Sequence, residues 1–291
     1  MITLDRSFTA RCLPLRPDDA HKGTMGALCS LTGSYGYAGA AVLSARAALR
    51  SGVGLHYQVL PKDVYPVFAS AVPESVCVPV TGSGVGTLSR ADLPAILNTV
   101  DRASAVLIGC GMGNTPDTLA VLEAVIRHSV SPLIIDADGI NALAQHIDIL
   151  QERRAPVILT PHIKEFSRLT GRPVKDILAD QAGAAARFAR EYPDIILVLK
   201  SHRTVVAKNS ELYLNTAGNS GMAKGGSGDV LAGVIASLAA QGTEPLSAAA
   251  VGVFLHACAG DLAAEKLSKT AMLPSDMIAA LPDVFRSFEN S

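Results

Sequence analysis

Short apolar segments alternate with helical segments along most of this chain. Strands are predicted at 27–31, 54–60, 75–80, 105–109, 132–136, 156–160, 194–199, 205–207 and 211–214, and helices at 40–51, 115–128, 162–170, 179–191, 246–267 and 274–288, with further helices beginning near Asp138 and Ser227. Continuous apolar strands of this kind are typical of a parallel sheet, and right-handed crossovers place the connecting helices on both of its faces. The sequence therefore predicts an α/β fold with a mostly parallel sheet.

Composition narrows the class of protein. Of the 291 residues 49% are hydrophobic, and we find no linker or repeat, so we predict one domain over residues 1–291. A net charge of −1 provides no basic surplus for nucleic acid. Five scattered cysteines lack CxxC spacing, which argues against a disulfide framework. The N-terminal segment lacks an apolar signal core, so we expect a cytoplasmic protein that does not bind a membrane.

The stretch 218–242 combines a glycine-rich loop with a helix of small residues. Five glycines precede Asp229, which lies in the first helical turn. Glycines allow backbone N–H groups to approach an anion, and a helix N-terminus attracts phosphate. Alternatively, Asp229 only complements the helix dipole, which is worth about 0.3–1 kcal/mol. We favour an anion site, because a helix cap needs only one small residue.

Two other glycine-rich turns follow predicted strands. One covers residues 32–39 and leads into the helix that begins at Ala40; the other contains Gly109, Gly111 and Gly113. Ligands of open α/β sheets bind at the carboxyl ends of the strands, where both turns would lie.

Further along the chain, polar residues follow two more strands. His162 and Glu165 lie one helical turn apart and could both face a site above the sheet, although Glu165 could equally pair with Arg168. The segment 200–204 forms a basic turn between two short strands, and is either a phosphate contact or an ordinary exposed hairpin.

Seven motifs in order give the chain a family resemblance: KGT at 22–24, GYAGAA at 36–41, GCGMG at 109–113, DADG at 136–139, TPHIKE at 160–165, KSHRT at 200–204 and GGSGD at 225–229. With them the chain resembles the ADP/ATP-dependent NAD(P)H-hydrate dehydratases. The resemblance implies a ribokinase-like three-layer α/β/α fold. It also implies a repair reaction, in which the S form of hydrated NADH or NADPH (NADHX or NADPHX) is dehydrated while ADP or ATP loses phosphate.

The resemblance also assigns site residues. Substrate contacts fall on Ala40, Gly113, His162 and Asp229, and nucleotide contacts on Lys200, Ser201, His202, Arg203, Thr204, Gly225, Gly226, Ser227 and Gly228. The chain departs from the family pattern at Ser201 (usually glycine), Ser220 and Cys110 (both usually proline). A side chain at position 201 restricts the turn that should grip phosphate.

The residues and the resemblance agree on a mechanism. Asp229 would deprotonate the ring hydroxyl for attack on the terminal phosphoryl group, and its place at a helix N-terminus should lower its pKa. Mg²⁺ is expected on the nucleotide phosphates, with Glu165 as an outer-sphere partner. We also expect a homo-oligomer, with a tetramer as one form, and a separate epimerase.

Two alternatives stay open at this point. The first is a small-molecule kinase of the same fold, of the hydroxymethylpyrimidine or thiazole type, against which TPHIKE and KSHRT argue. The second is a nucleotide sensor without turnover, against which Asp229 beside GGSG argues.

Overall fold

A single ten-stranded sheet organises the computed structural model, which describes residues 1–289. The sheet order is β1-β10-β9-β8-β7-β6-β5-β2-β3-β4. The strands from β8 to β4 run parallel, whereas β9 is antiparallel to both of its neighbours. In chain order the strands are Ile2–Thr3, Ala27–Leu31, Leu55–Pro61, Val76–Val80, Ala105–Ile108, Leu133–Ile135, Val157–Leu159, Ile195–Leu199, Val205–Lys208 and Glu211–Leu214. The prediction of a mostly parallel sheet is confirmed.

Helices cover both faces of the sheet. In chain order, α1 to α12 are Arg6–Cys12, Ala38–Arg50, Tyr65–Ala71, Leu93–Val100, Pro116–His128, Asp138–Leu143, Ile163–Thr170, Val174–Ala179, Gln181–Glu191, Ser227–Ala240, Pro245–Leu267 and Pro274–Glu289. Side chains alternate along each strand between two cores: Leu107 packs with α10 and α11, and Ile108 packs with α5 and α7. The three layers agree with the predicted architecture. Residues 290 and 291 lie outside the described part, so one domain over 1–291 stays a prediction.

Some predicted elements were wrong. Helices α1, α3, α4 and α8 and strand β1 were not predicted. Helices α3 and α4 each have a proline in the first turn, which is a helix-start signal. The predicted helix 179–191 begins later, at Gln181. Asp180 has a non-helical backbone, with a φ of −147° and a ψ of 73°, and it caps α9 by accepting a hydrogen bond from the Gly183 N–H at 2.8 Å.

One helix, α11, is long and apolar enough to cross a membrane by length and composition. However, 78% of its most apolar window is buried within the fold, between the sheet-facing core and α12. In this structure α11 is a core helix.

Helices α2 and α10 pack unusually closely. A Cβ atom on Gly233 would lie 2.2 Å from the carbonyl oxygen of Ser44 and 3.0 Å from Cβ of Ala47. Only glycine permits this separation of the two helices. Because α2 begins near Ala40 and α10 carries Asp229, the contact fixes two predicted site residues relative to each other.

Candidate active site at the carboxyl ends of the central strands

The glycine-rich loop ends at the N-terminus of α10. Gly226 is the N-cap, with a φ of 99° that favours glycine, whereas a Cβ on Gly225 would meet open space. The carbonyl oxygen of Ser227 accepts a hydrogen bond from Nε2 of buried His256 at 3.0 Å. Burial lowers the pKa of His256 to about 4, so its ring is neutral at pH 7. The first N–H groups of α10 are thus held facing the strand ends, where they can bind an anion.

Asp229 is a stronger base than its position in the helix suggests. Burial raises the pKa of its carboxyl to about 7, and the charge of Asp136 acts in the same direction. The Cys110 thiol and the Lys200 ammonium group oppose this rise. The prediction that the helix N-terminus lowers this pKa was therefore wrong, because desolvation outweighs the helix dipole here.

A buried ion pair lies beside Asp229. Nζ of Lys200 donates to Oδ1 of Asp136 at 2.7 Å, and the hydroxyl of Thr160 donates to the same oxygen at 2.7 Å. The side chain of Lys200 is 17% exposed and that of Asp136 is 2% exposed. Burial lowers the pKa of Lys200, but the charges of Asp136 and Glu165 outweigh it and the net shift is upward. A Cβ on Gly228 would lie 3.2 Å from Nζ of Lys200, so this cation faces the N-terminus of α10.

Cys110, where the family usually has proline, completes this cluster. Its Sγ donates to Oδ2 of Asp136 at 3.6 Å, and burial together with the Asp136 charge raises its pKa well above the usual range. Donor atoms of Cys110, Asp136 and Asp229 lie within 4.8 Å of one another. This set does not suit Mg²⁺, because a protonated thiol is a poor ligand for it and an ammonium group already occupies Asp136.

The predicted substrate contacts Ala40 and Gly113 lie on two neighbouring turns. A Cβ on Gly111 would lie 2.8 Å from Cβ of Ala40, so the turn after β5 packs directly on the start of α2. The Gly113 N–H donates to Oδ2 of Asp138 at 2.9 Å. Between Asp136 and Asp138, Ala137 has a φ of 48° and a ψ of −113°, which is a strained conformation for a residue with a side chain. Strain of this kind is common at functional sites.

His162 and Glu165 form a capping box at the start of α7. The imidazole Nδ1 accepts from the N–H groups of Lys164 and Glu165, both at 3.1 Å, while Oε2 of Glu165 accepts from the His162 N–H at 2.8 Å. Oε1 of Glu165 lies 3.4 Å from Nε2 of His162. Burial raises the pKa of Glu165 and lowers that of half-buried His162. Glu165 is therefore bound to His162, and its outer-sphere role toward Mg²⁺ stays a prediction.

The basic turn divides into a buried and an exposed part. Thr204 is buried, and its hydroxyl donates to the Ser201 carbonyl at 3.2 Å, whereas His202 and Arg203 are exposed. Ser201 is not among the residues with positive φ, so this turn does not need the family's glycine. Its hydroxyl donates to Gln181 at 2.7 Å. Nucleotide contacts from this turn stay a prediction.

Sequence reasoning missed the role of Asp136. A signal was present, because Asp136 directly follows a buried apolar strand, and acids at such strand ends face the ligand side of the sheet. Its pairing with Lys200 could not be predicted, since the two residues are 64 positions apart and meet only through the sheet order.

The strand order, the two helix layers and the acid at the start of α10 define a ribokinase-like α/β protein. A ribokinase-like superfamily protein from Enterococcus faecalis is 30% identical, with a TM-score of 0.82 over 99% of this chain and 96% of the other. The family model for NAD(P)H-hydrate dehydratase matches residues 28–283. The chain belongs to the NAD(P)H-hydrate dehydratase family.

Two further proteins are informative. The bifunctional NAD(P)H-hydrate repair enzyme Nnr of Moorella thermoacetica is 38% identical over 278 residues, which are 95% of this chain and 52% of that protein. The chain spans about half the length of the first curated relatives it matches. The ADP/ATP-dependent NAD(P)H-hydrate dehydratase of Bacillus subtilis, co-crystallized with ATP/Mg²⁺, is 30% identical, with a TM-score of 0.85 over 99% and 98% of the two chains.

Proposed function

We propose that this chain catalyses the ADP- or ATP-dependent dehydration of the S form of hydrated NADH and NADPH. The observation that carries the proposal is Asp229, a partly buried carboxylate with a pKa of about 7, at the glycine-rich N-terminus of α10. A general base is most effective when its pKa lies near the working pH. The printed names of the similar proteins support the substrate class.

In the first step Asp229 accepts the proton of the ring hydroxyl. The electron pair left on the hydroxyl oxygen attacks the terminal phosphorus of the nucleotide. The bond between that phosphorus and its bridging oxygen breaks, which releases AMP from ADP or ADP from ATP. The N–H groups at the start of α10 and the ammonium group of Lys200 stabilise the charge on the transferring phosphoryl group.

In the second step the ring carbon loses phosphate. The lone pair of the adjacent ring nitrogen drives this bond to break, and transfer of a proton from the neighbouring carbon to the departing phosphate or to water restores the double bond of NADH or NADPH. Ala40 and Gly113, on turns that touch, would hold the ring against the phosphoryl group. Mg²⁺ bound to the nucleotide phosphates would screen their charge. We further propose that a separate epimerase supplies the S form in the cytoplasm.

Incubation with hydrated NADH, Mg²⁺ and ADP or ATP tests the proposal. We expect NADH absorbance to return and phosphate to be released in equal amounts, and neither to occur without nucleotide. A stable phosphorylated product without NADH would assign the chain to the kinases. Nucleotide binding without any turnover would indicate a sensor.

A further inference from the structure

Three charged groups lie close together at the ends of β6 and β8 and at the start of α10. Carboxylate oxygens of Asp136 and Asp229 lie within 4.8 Å of each other, and Lys200 donates to Asp136 at 2.7 Å. The charge of Lys200 also acts on Asp229 and on Glu165 of α7, but its ammonium group donates its hydrogen bond to Asp136. Asp136 also accepts from Thr160 and is 2% exposed.

We propose that Asp136 is a positioning residue, which anchors the ammonium group of Lys200 beside Asp229 and prevents Lys200 from pairing with Asp229 instead. Lys200 is then available to the phosphoryl group, while Asp229 keeps its affinity for a proton. The part of this inference that concerns turnover rests on the proposed function.

The groups that face Asp229 come from four elements. Asp136 and Asp138 follow β6, Cys110 follows β5, Lys200 follows β8, and neutral His256 of α11 binds the Ser227 carbonyl. Among the charged neighbours that raise the Asp229 pKa, Asp136 has the larger effect and Asp138 the smaller. Asp138 instead accepts from the Gly113 N–H. Asp136→Asn and Asp138→Asn are therefore the same chemical change, but we expect Asp136→Asn to lower the pKa of Asp229 further.

The experiment follows the titration of Asp229 directly. Protein labelled with ¹³C at aspartate carboxyl carbons is titrated by NMR, and the Asp229 resonance is assigned by its loss in Asp229→Asn. In Asp136→Asn we expect the Asp229 midpoint to fall by at least about one pH unit, a tenfold loss of proton affinity, because a negative neighbour disappears and Lys200 is released toward Asp229. In Asp138→Asn the fall should be smaller. Equal shifts in both variants, or none in Asp136→Asn, would overturn the proposal.

A second measurement covers the case in which Asp136→Asn does not fold. In the unaltered protein, the resonance of the Asp136 carboxyl carbon should shift at the midpoint of Asp229, because a charge that appears within 4.8 Å changes its electrostatic surroundings. This shift should disappear in Asp229→Asn. An Asp136 resonance that does not respond at that pH would show that the two groups are independent, and would refute the proposal.

Turnover gives a further readout. In Asp136→Asn the acid limb of the kcat profile should move to lower pH and the plateau should fall, because Asp229 becomes a weaker base; Asp136→Glu, which keeps the charge, should restore the position of the limb. An unmoved limb in Asp136→Asn would contradict the proposal. If the unaltered protein has no dehydratase activity, the proposed function fails, and the NMR titration still tests the role of Asp136.

Discussion

The Asp229→Asn exchange should stabilise the protein while it removes activity. The folded state holds the Asp229 proton up to a pH of about 7, whereas the unfolded chain releases it near 3.8. At this group the folded state therefore binds more protons between these values, and the contribution of Asp229 to the free energy of unfolding falls as pH rises from about 4 to about 7. At about 1.4 kcal/mol per unit, ionising Asp229 costs the fold at most about 4 kcal/mol at pH 8.

Asparagine removes this cost. We expect Asp229→Asn to exceed the parent protein in stability by about 1 to 4 kcal/mol at pH 8, and to match it near pH 4, where both side chains are neutral in the fold. Its melting temperature should rise by roughly 2 °C for each kcal/mol. Because the proposed base is lost, turnover should fall by at least about 10²-fold, whereas nucleotide binding should survive.

Denaturant unfolding at several pH values, nucleotide titration and NADH recovery measure the three quantities on the same variant. The control is Asp276→Asn, which makes the same exchange in the first turn of α12. Asp276 accepts from the Leu273 N–H at 2.7 Å, so this control should not gain stability. A pH-independent difference between Asp229→Asn and its parent would refute the burial argument. Near-normal turnover would remove Asp229 from the mechanism.

Three other outcomes follow from described contacts. Lys200→Met should lower the free energy of unfolding by about 3–5 kcal/mol, since it leaves the buried carboxylate of Asp136 without its cation, whereas Arg203→Ala on the exposed part of the turn should change it by less than about 0.5 kcal/mol. Denaturant unfolding compares the two variants, and equal losses would contradict the buried pairing. Gly226→Ala should lower the melting temperature and Gly225→Ala should not, because only Gly226 has a positive φ and a Cβ position 2.6 Å from a leucine methyl group. Equal melting temperatures in the two variants would contradict the loop geometry. His256 acts in the opposite direction to Asp229: its contribution to stability should fall as pH falls from 6.5 to 4, because the folded state keeps its ring neutral to about pH 4. His256→Gln should remove this contribution, so the stability of the variant relative to its parent should rise as pH falls over this range; a relative stability that does not change with pH would mean that His256 does not contribute.

The sequence predicted the parts of the site that depend on local pattern. The glycine-rich loop, the helix that carries Asp229 and the turns at the strand ends could be recognised because each is encoded within a few consecutive residues. The pKa of Asp229 could not, because it depends on burial and on Asp136, which reaches it only when β6 and α10 are in place. The short helices α3 and α4 were missed because each is too brief to show a strong period.

The close contact between α2 and α10 makes the width of the site sensitive to Gly233, which is buried between the two helices. Gly233 lies one helical turn beyond Asp229, and any side chain there would push the helix away from Ser44. The distance between the base and the wall formed by Ala40 would then increase. In a survey of inactive variants, Gly233 should therefore group with the proposed site residues rather than with the buried core. Relief of the 2.2 Å approach to the Ser44 carbonyl oxygen requires a shift on the order of 1 Å, and reaction rates depend steeply on such displacements.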